Sequence, residues 1–222
     1  MTLLFIRHGQ MAGDPYVCPE RPVSGCLSPE GVAQARALRD ALASTPVAAA
    51  FSSPYGRALQ TAEIAFADRG VPIAIVPGLE EWKPAPEVRT ATSTVFEAMQ
   101  ARDRERYAEE TWKTELGEGA FDVYARVVPA LLGALADFGW HHRQGGWIPD
   151  PGTEEATVAV AAHGGSLNAM LAFVLGVMPF PVGRFSFDLT AVATVNFTER
   201  HGIHYPTLSF QAPATQRPGT PS

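Results

Sequence analysis

The chain has 222 residues, enough to bury a full core in one large α/β domain. It is 46% hydrophobic and 18% charged, like an ordinary globular enzyme, and its net charge of −6 argues against non-specific nucleic-acid binding or a basic membrane patch. The N-terminal apolar run stops at Arg7, too early for a signal-peptide core or a membrane span, so a cytoplasmic protein with no membrane association is expected.

Thr2-Leu3-Leu4-Phe5-Ile6 shows no polar/apolar alternation and reads as a strand buried on both faces, as in a parallel sheet. Arg7-His8-Gly9 follows at once. In open α/β sheets ligands bind just beyond the carboxyl ends of the strands. His8 therefore stands where chemistry usually happens, beside a permanent cation and a glycine that admits close approach to the backbone. The next loop carries Pro15, Pro19 and Pro22 with the two cysteines, Cys18 and Cys26. A bridge between them is geometrically conceivable, but a cytosolic setting favours free thiols. Ser28-Pro29-Glu30 opens a helix whose Val32, Ala35, Leu38 and Leu42 step at helical spacing. Val47 to Phe51 reads as a strand, and Ser52 or Ser53 as the cap of a helix from Pro54 to Ala67. That sets Arg57 one turn in, facing the same edge as His8. Val71 to Val76 is a further strand, leading into Leu79-Glu80-Glu81-Trp82.

From Pro84 to Gly119 the pattern becomes charged and helix-prone, and an insert of this size reads as a helical cap over the site. Phe121 to Phe138 is an amphipathic helix, and Gln144 to Glu154 a Gly/Pro loop. Thr157 to Ala162 repeats the doubly buried strand and ends in His163-Gly164-Gly165, with a helix from Ser166 to Leu175. Ala191 to Phe197 and Thr207 to Phe210 read as strands around the turn Glu199-Arg200-His201-Gly202. Residues 212–222, rich in Pro, Thr and Gly, form an expected disordered tail. This leaves residues 1–211 as a single domain. Repeated βα units predict a three-layer α/β sandwich with a mostly parallel central sheet flanked by helices. His141-His142 read as a solvated helix end, and His201 and His204 flank a turn without carboxylate or thiolate partners, so no metal site is expected.

This ordered set of motifs resembles the histidine phosphatase superfamily, with its phosphoglycerate-mutase-like fold. The resemblance spans roughly the first 200 residues, a domain length. It is carried by Arg7-His8-Gly9, Leu27-Ser28-Pro29-Glu30-Gly31 with Gln34-Ala35, and Ser53-Pro54 with Arg57 and Gln60-Thr61-Ala62. Leu79-Glu80-Glu81 and His163-Gly164-Gly165 complete it. It implies a phosphatase for a small-molecule phosphate ester, needing no cofactor, in which His8 attacks phosphorus and becomes a phosphohistidine. Arg7, Arg57, His163 and Gly164 would bind the phosphate oxygens, the arginines through forked donors matched to them. The leaving alkoxide needs a proton; the family register places the acid at Glu81, with Glu80 the neighbour it could be confused with.

The family also holds cofactor-dependent phosphoglycerate mutases, and this chain departs from them. Gln10-Met11-Ala12-Gly13-Asp14 follows the first motif where mutases and many phosphatases carry Glu-Thr or Glu-Ser and then Trp-Asn. No Arg-Arg pair is present to grip a substrate carboxylate, and Gly117-Glu118-Gly119 with Arg126 stands where the family has Gly-Glu-Ser and a later Arg. A phosphatase is therefore expected over a mutase-type phosphotransferase. A non-catalytic, phosphate-binding member would be signalled by loss of either histidine, and both are present. The ester itself and the oligomeric state stay open, a homodimer being compatible.

Overall fold

Strand β1 (Thr2–Arg7) and strand β6 (Thr157–Ala162) are the doubly buried runs, and they lie side by side in parallel from Thr2↔Thr157 to Arg7↔Ala162. Their shared register delivers His8 and His163 to the same sheet edge. The computed structural model describes residues 1–13, 26–89, 91–106, 114–179 and 184–207. In chain order the elements between and after these strands are α1 (Pro29–Ala41), β2 (Ala49–Ser52), α2 (Gly56–Ala65), β3 (Ile73–Ile75), α3 (Pro86–Arg89) and α4 (Ser93–Arg106). Then come α5 (Ala120–Phe138), β4 (Trp140–Arg143), β5 (Gly146–Pro149), α6 (Gly164–Val174, after β6), β7 (Val192–Arg200) and β8 (Ile203–Thr207). They form an eight-stranded sheet in the order β3-β2-β6-β1-β7-β8-β5-β4. β3, β2, β6 and β1 pair in parallel, and from β7 onward each pairing is antiparallel.

The pleat explains why the two central strands need no polar positions. Leu3, Phe5, Val158, Val160 and Ala162 pack with Leu131 and Leu135 of α5 and Leu167 and Met170 of α6. Leu4, Ile6, Ala159 and Ala161 face the other way, onto Leu38 of α1 and Ala62 with Phe66 at α2. This is the expected three-layer α/β sandwich, but its sheet is mixed rather than mostly parallel. Three pairings are parallel and four antiparallel. The short turns of the β4/β5 and β7/β8 hairpins allow only antiparallel pairing. Helix α1 starts where the sequence places it, because Ser28 Oγ accepts the Gly31 N–H at 3.0 Å with Pro29 in the first turn.

Other boundaries differ, each for a physical reason. Helix α2 begins at Gly56 rather than Pro54, because Tyr55 is still extended; Ser53 Oγ accepts the Tyr55 N–H at 3.2 Å and also meets the His163 ring at 2.8 Å. The region expected as a helix end and a Gly/Pro loop is the β4/β5 hairpin. Gly139 (φ 102°) stops α5, and Gln144 (φ 51°) and Gly145 (φ 76°) make the two-residue turn with both residues at positive φ. Trp140 and Trp147 turn inward and are fully buried, and His142 lies against Trp147 and Phe173. His141 and His142 are thus strand residues on opposite faces, not a solvated helix terminus. The last strand, β8, starts straight after the His201-Gly202 turn; the span expected at 207–210 falls mostly outside the described residues. The same holds for the expected tail 212–222 and for Cys18, whereas Cys26 is buried.

The insert expected at 84–119 holds α3 and α4, and its two ends meet in the Pro84↔Gly117 bridge. Val88, Phe96 and Leu116 form a small core of its own, with Trp82 packed against it.

Candidate active site

At the carboxyl edge of β1 the chain turns sharply under α1. A Cβ on Gly9 would lie 2.8 Å from Gly31 O, and one on Gly31 only 2.0 Å from Gln10 O. Both positions need glycine for this close approach, which keeps the residues after Arg7 packed beneath the helix. His8 N–H extends the ladder to Ala162 O at 3.1 Å, and Gly9 N–H donates to Thr61 Oγ1 at 3.0 Å. The His8 backbone is therefore held on both sides.

The side chains then fix their own protonation. His8 Nδ1 is 2.7 Å from Gly9 O, which can only accept, so Nδ1 carries the ring proton and Nε2 keeps its lone pair. Arg57 Nε–H points at that lone pair at 3.1 Å and, at the same distance, at His163 Nδ1. With Nδ1 accepting, His163 Nε2–H donates to Ser53 Oγ at 2.8 Å. The two rings lie 5.0 Å apart, and the Arg57 guanidinium sits 5.1 Å over the Tyr55 ring. Burial, then Arg57, pushes the His8 pKa down to about 3, and the same causes in the same order hold His163 well below its ordinary value. The pair is neutral, and both free lone pairs, on His8 Nε2 and His163 Nδ1, face the same Arg57 Nε–H.

Arg7 completes the polar floor. Its Nη1 donates to Phe187 O, while its Nε is buried with no hydrogen-bond partner among the described residues. A buried donor left unmade costs about 1–3 kcal/mol, which an anionic oxygen in the site would recover. Gly164 lies beside this guanidinium: a Cβ there would stand 3.8 Å from Arg7 Nε.

Glu81 reaches the same edge from the segment after β3. Its carboxylate accepts from Gly165 N–H at 3.1 Å and Ser166 N–H at 3.2 Å, the first turn of α6, and from Trp82 N–H at 2.8 Å. A Cβ at 165 would fall 2.5 Å from Glu81 Oε1, so a larger residue there would push the carboxylate out of this seat. Glu80 points elsewhere. Its Oε2 accepts from Gly78 N–H at 2.8 Å and pairs with Arg126 at 3.3 Å. The structure thus brings Arg7, His8, Arg57, His163, Gly164 and Glu81 to one edge and leaves Glu80 off it.

Several contributors escaped the sequence reading. Thr61 bonds back to Arg57 O at 2.7 Å from one turn further along α2, a spacing that could have flagged it. Ser53 was legible as a motif residue but not as a partner of His163. Arg126, like Ser53, was legible as a motif residue but not by its partners, and Phe187 O acts across a long stretch of chain and leaves no local signal. Among the described residues no group of three or more His, Cys, Asp or Glu side chains is placed to hold a metal ion. No helix among them is long and apolar enough to cross a membrane.

The neutral histidines make a stability prediction. Below pH 6.5 the unfolded chain binds protons that folded His8 refuses until about pH 3, so stability rises with pH across that window and is lost on acidification. For His8 alone the loss by pH 5 is about 2 kcal/mol. Thermal unfolding at pH 7 and pH 5 should show the drop, and His8→Gln should shrink it; an undiminished drop in that variant would refute the assignment.

The family profile that matches is the histidine phosphatase superfamily (branch 1), over residues 3–204. No curated protein sequence matches the chain. Solved structures share the fold. Mycobacterial glucosyl-3-phosphoglycerate phosphatase, solved with VO3, is similar at 22% identity over 95% of this chain and 98% of that one, with a TM-score of 0.69. The α-ribazole phosphatase of Shigella flexneri matches at 19% identity over 94% and 95%, TM-score 0.67. YhfR of Bacillus stearothermophilus matches at 22% identity over 93% and 95%, TM-score 0.69. With the profile spanning nearly the whole described fold, His8 and His163 included, this chain belongs to the histidine phosphatase superfamily, branch 1.

Proposed function

We propose that this protein hydrolyses a phosphomonoester, without a metal ion, through a phosphohistidine on His8. The observation that supports it most is the pairing of an unprotonated His8 Nε2 with an unpartnered, buried Arg7 Nε at one sheet edge. The Arg57 Nε–H covers both imidazole lone pairs. A phosphate dianion takes that donor onto an equatorial oxygen and so uncovers the nucleophile. Arg7 adds a second permanent charge, and His163 a third contact once the dianion favours its protonated form. The arginines thereby supply the positive field that a divalent ion supplies in other phosphoryl-transfer sites.

The His8 Nε2 lone pair attacks phosphorus, the ester P–O bond breaks, and Glu81 gives its proton to the departing alkoxide. Glu81 then takes a proton from water as the water oxygen attacks phosphorus. The P–N bond breaks, its electron pair returns to Nε2, and inorganic phosphate leaves.

Phosphate release from a panel of monoesters tests this, with and without EDTA. The panel includes glucosyl-3-phosphoglycerate and α-ribazole phosphate, the esters for which two of the similar structures are named. Turnover of p-nitrophenyl phosphate and at least one alkyl ester, unchanged by chelation, is the expected result. No turnover of any ester would overturn the reading, as would activity lost on EDTA and restored by a divalent ion.

A further inference from the structure

Arg126 of α5 lies 17% exposed beneath the segment that carries Glu81, and its donors are fully engaged. Nε and Nη2 form a two-pronged pair with Glu118 at 2.8 and 2.6 Å. Nη1 donates to Gly78 O at 2.8 Å, Glu80 O at 3.0 Å and Glu80 Oε2 at 3.3 Å, and Nη2 also reaches Glu81 O at 3.2 Å. Glu118 grips the residues that follow. Its Oε2 accepts from Lys83 N–H at 2.9 Å, its N–H donates to Lys83 O at 3.0 Å, and its carbonyl accepts from Trp82 Nε1 at 2.5 Å. Three backbone carbonyls before and at Glu81 and the peptide after it are therefore tied to one ion pair.

The need for such a tie is visible in the neighbouring carboxylates. Adjacent residues of an extended segment face opposite ways, so a one-residue shift would turn Glu80 toward α6 and Glu81 away. Nothing in the Glu81 side chain's own contacts prevents this, since backbone N–H groups can donate to either carboxylate. The contacts of Arg126 oppose it, because they hold the Gly78, Glu80 and Glu81 carbonyls and, with them, the Glu80 carboxylate on the side of α5. Glu118 stands beside Gly117, whose bridge to Pro84 closes the base of the 84–119 insert.

We propose that Arg126 and Glu118 are positioning residues that hold Glu81 in register against the first turn of α6, and that they tie the base of the insert to proton donation. The proposal rests on Glu81 being the acid. A lysine at 126 keeps the charge but loses the planar fork, so it cannot serve Glu118 and three carbonyls together. Misplacement of a reacting group by about 1 Å costs on the order of 10²-fold.

The test compares an alkyl phosphate with p-nitrophenyl phosphate, whose phenolate leaves without a proton, in Arg126→Lys, Glu118→Gln and Glu81→Gln. Arg126→Lys and Glu118→Gln should each lose roughly 10- to 100-fold in kcat on the alkyl ester. On the aryl ester they should lose far less, with inhibition by inorganic phosphate unchanged. In the Glu81→Gln background, Arg126→Lys should cost nothing further on the alkyl ester, since the group it positions no longer donates. Equal losses on both esters, or additive losses in the double variant, would make the pair a stability element only and overturn the inference while leaving Glu81 as the acid. If Glu81→Gln itself fails to separate the two esters, the acid assignment falls first and the inference with it. Glu118→Gln removes the charged two-pronged grip that aims the Arg126 fork at the carbonyls, and answers the question even if Arg126→Lys does not fold.

Discussion

Replacing His8 with alanine should abolish hydrolysis of p-nitrophenyl phosphate, a loss on the order of 10³-fold or more, while leaving the fold intact. The loss is large because an activated leaving group still needs a nucleophile, and no neighbour can substitute. His163 is the only other imidazole at this edge, and it is fully buried with Nε2 bonded to Ser53 Oγ. The fold should survive because, among the described residues, the His8 ring bonds only to the adjacent Gly9 carbonyl and to Arg57. The backbone anchors, His8 N to Ala162 O and Gly9 N to Thr61, do not involve the side chain. Two measurements check this. Circular dichroism and thermal unfolding should match the wild type at neutral pH. Acid-labile label from a ³²P-labelled substrate, trapped by rapid denaturation, should sit on His8. A folded His8→Ala protein with near wild-type turnover would end the mechanism, and label on His163 would exchange the two roles.

How far the sequence announces this site depends on the range of the contacts involved. The strand runs ending in Arg7-His8 and in His163 were legible, because a run without polar positions can only be buried on both faces. Arg57 was legible through its spacing from Ser53-Pro54, and the helix after Ser28 through its cap. The β4/β5 hairpin was missed, since Gln144-Gly145 is not one of the usual turn pairs and Gly145-Gly146 with Pro149 imitates a loop. Its strands are held by Trp140 and Trp147 reaching a core that α5 and α6 build. Glu80 and Glu81 look alike in the chain. What separates them is Arg126, 46 residues from Glu80, and the first turn of α6, 84 residues from Glu81. Contacts at that range are set by how the sheet stacks its helices, and no local pattern carries them.

That separation gives the second large effect. Glu81→Gln should lose on the order of 10²-fold or more on an alkyl phosphate and much less on p-nitrophenyl phosphate. Glutamine keeps the size of the side chain and an oxygen that can still accept from the Gly165 and Ser166 N–H groups. It cannot release a proton to an alkoxide, so the variant isolates chemistry from placement. A sugar or alkyl alkoxide is a poor leaving group and cannot depart unprotonated, whereas p-nitrophenolate can. Glu80→Gln should do little to either ester, because Arg126 keeps its hold on the Gly78, Glu80 and Glu81 carbonyls and on Glu118. Steady-state kcat and KM for both esters, in both variants, decide among the outcomes. Equal losses on the two esters in Glu81→Gln would mean that its bonds to α6 matter for binding or packing alone. A leaving-group split in Glu80→Gln instead would mean that the segment shifts by one residue when substrate enters. Full activity in both would move the proton donor into the 84–119 insert, where it would have to reach the leaving oxygen from the far side of the ester.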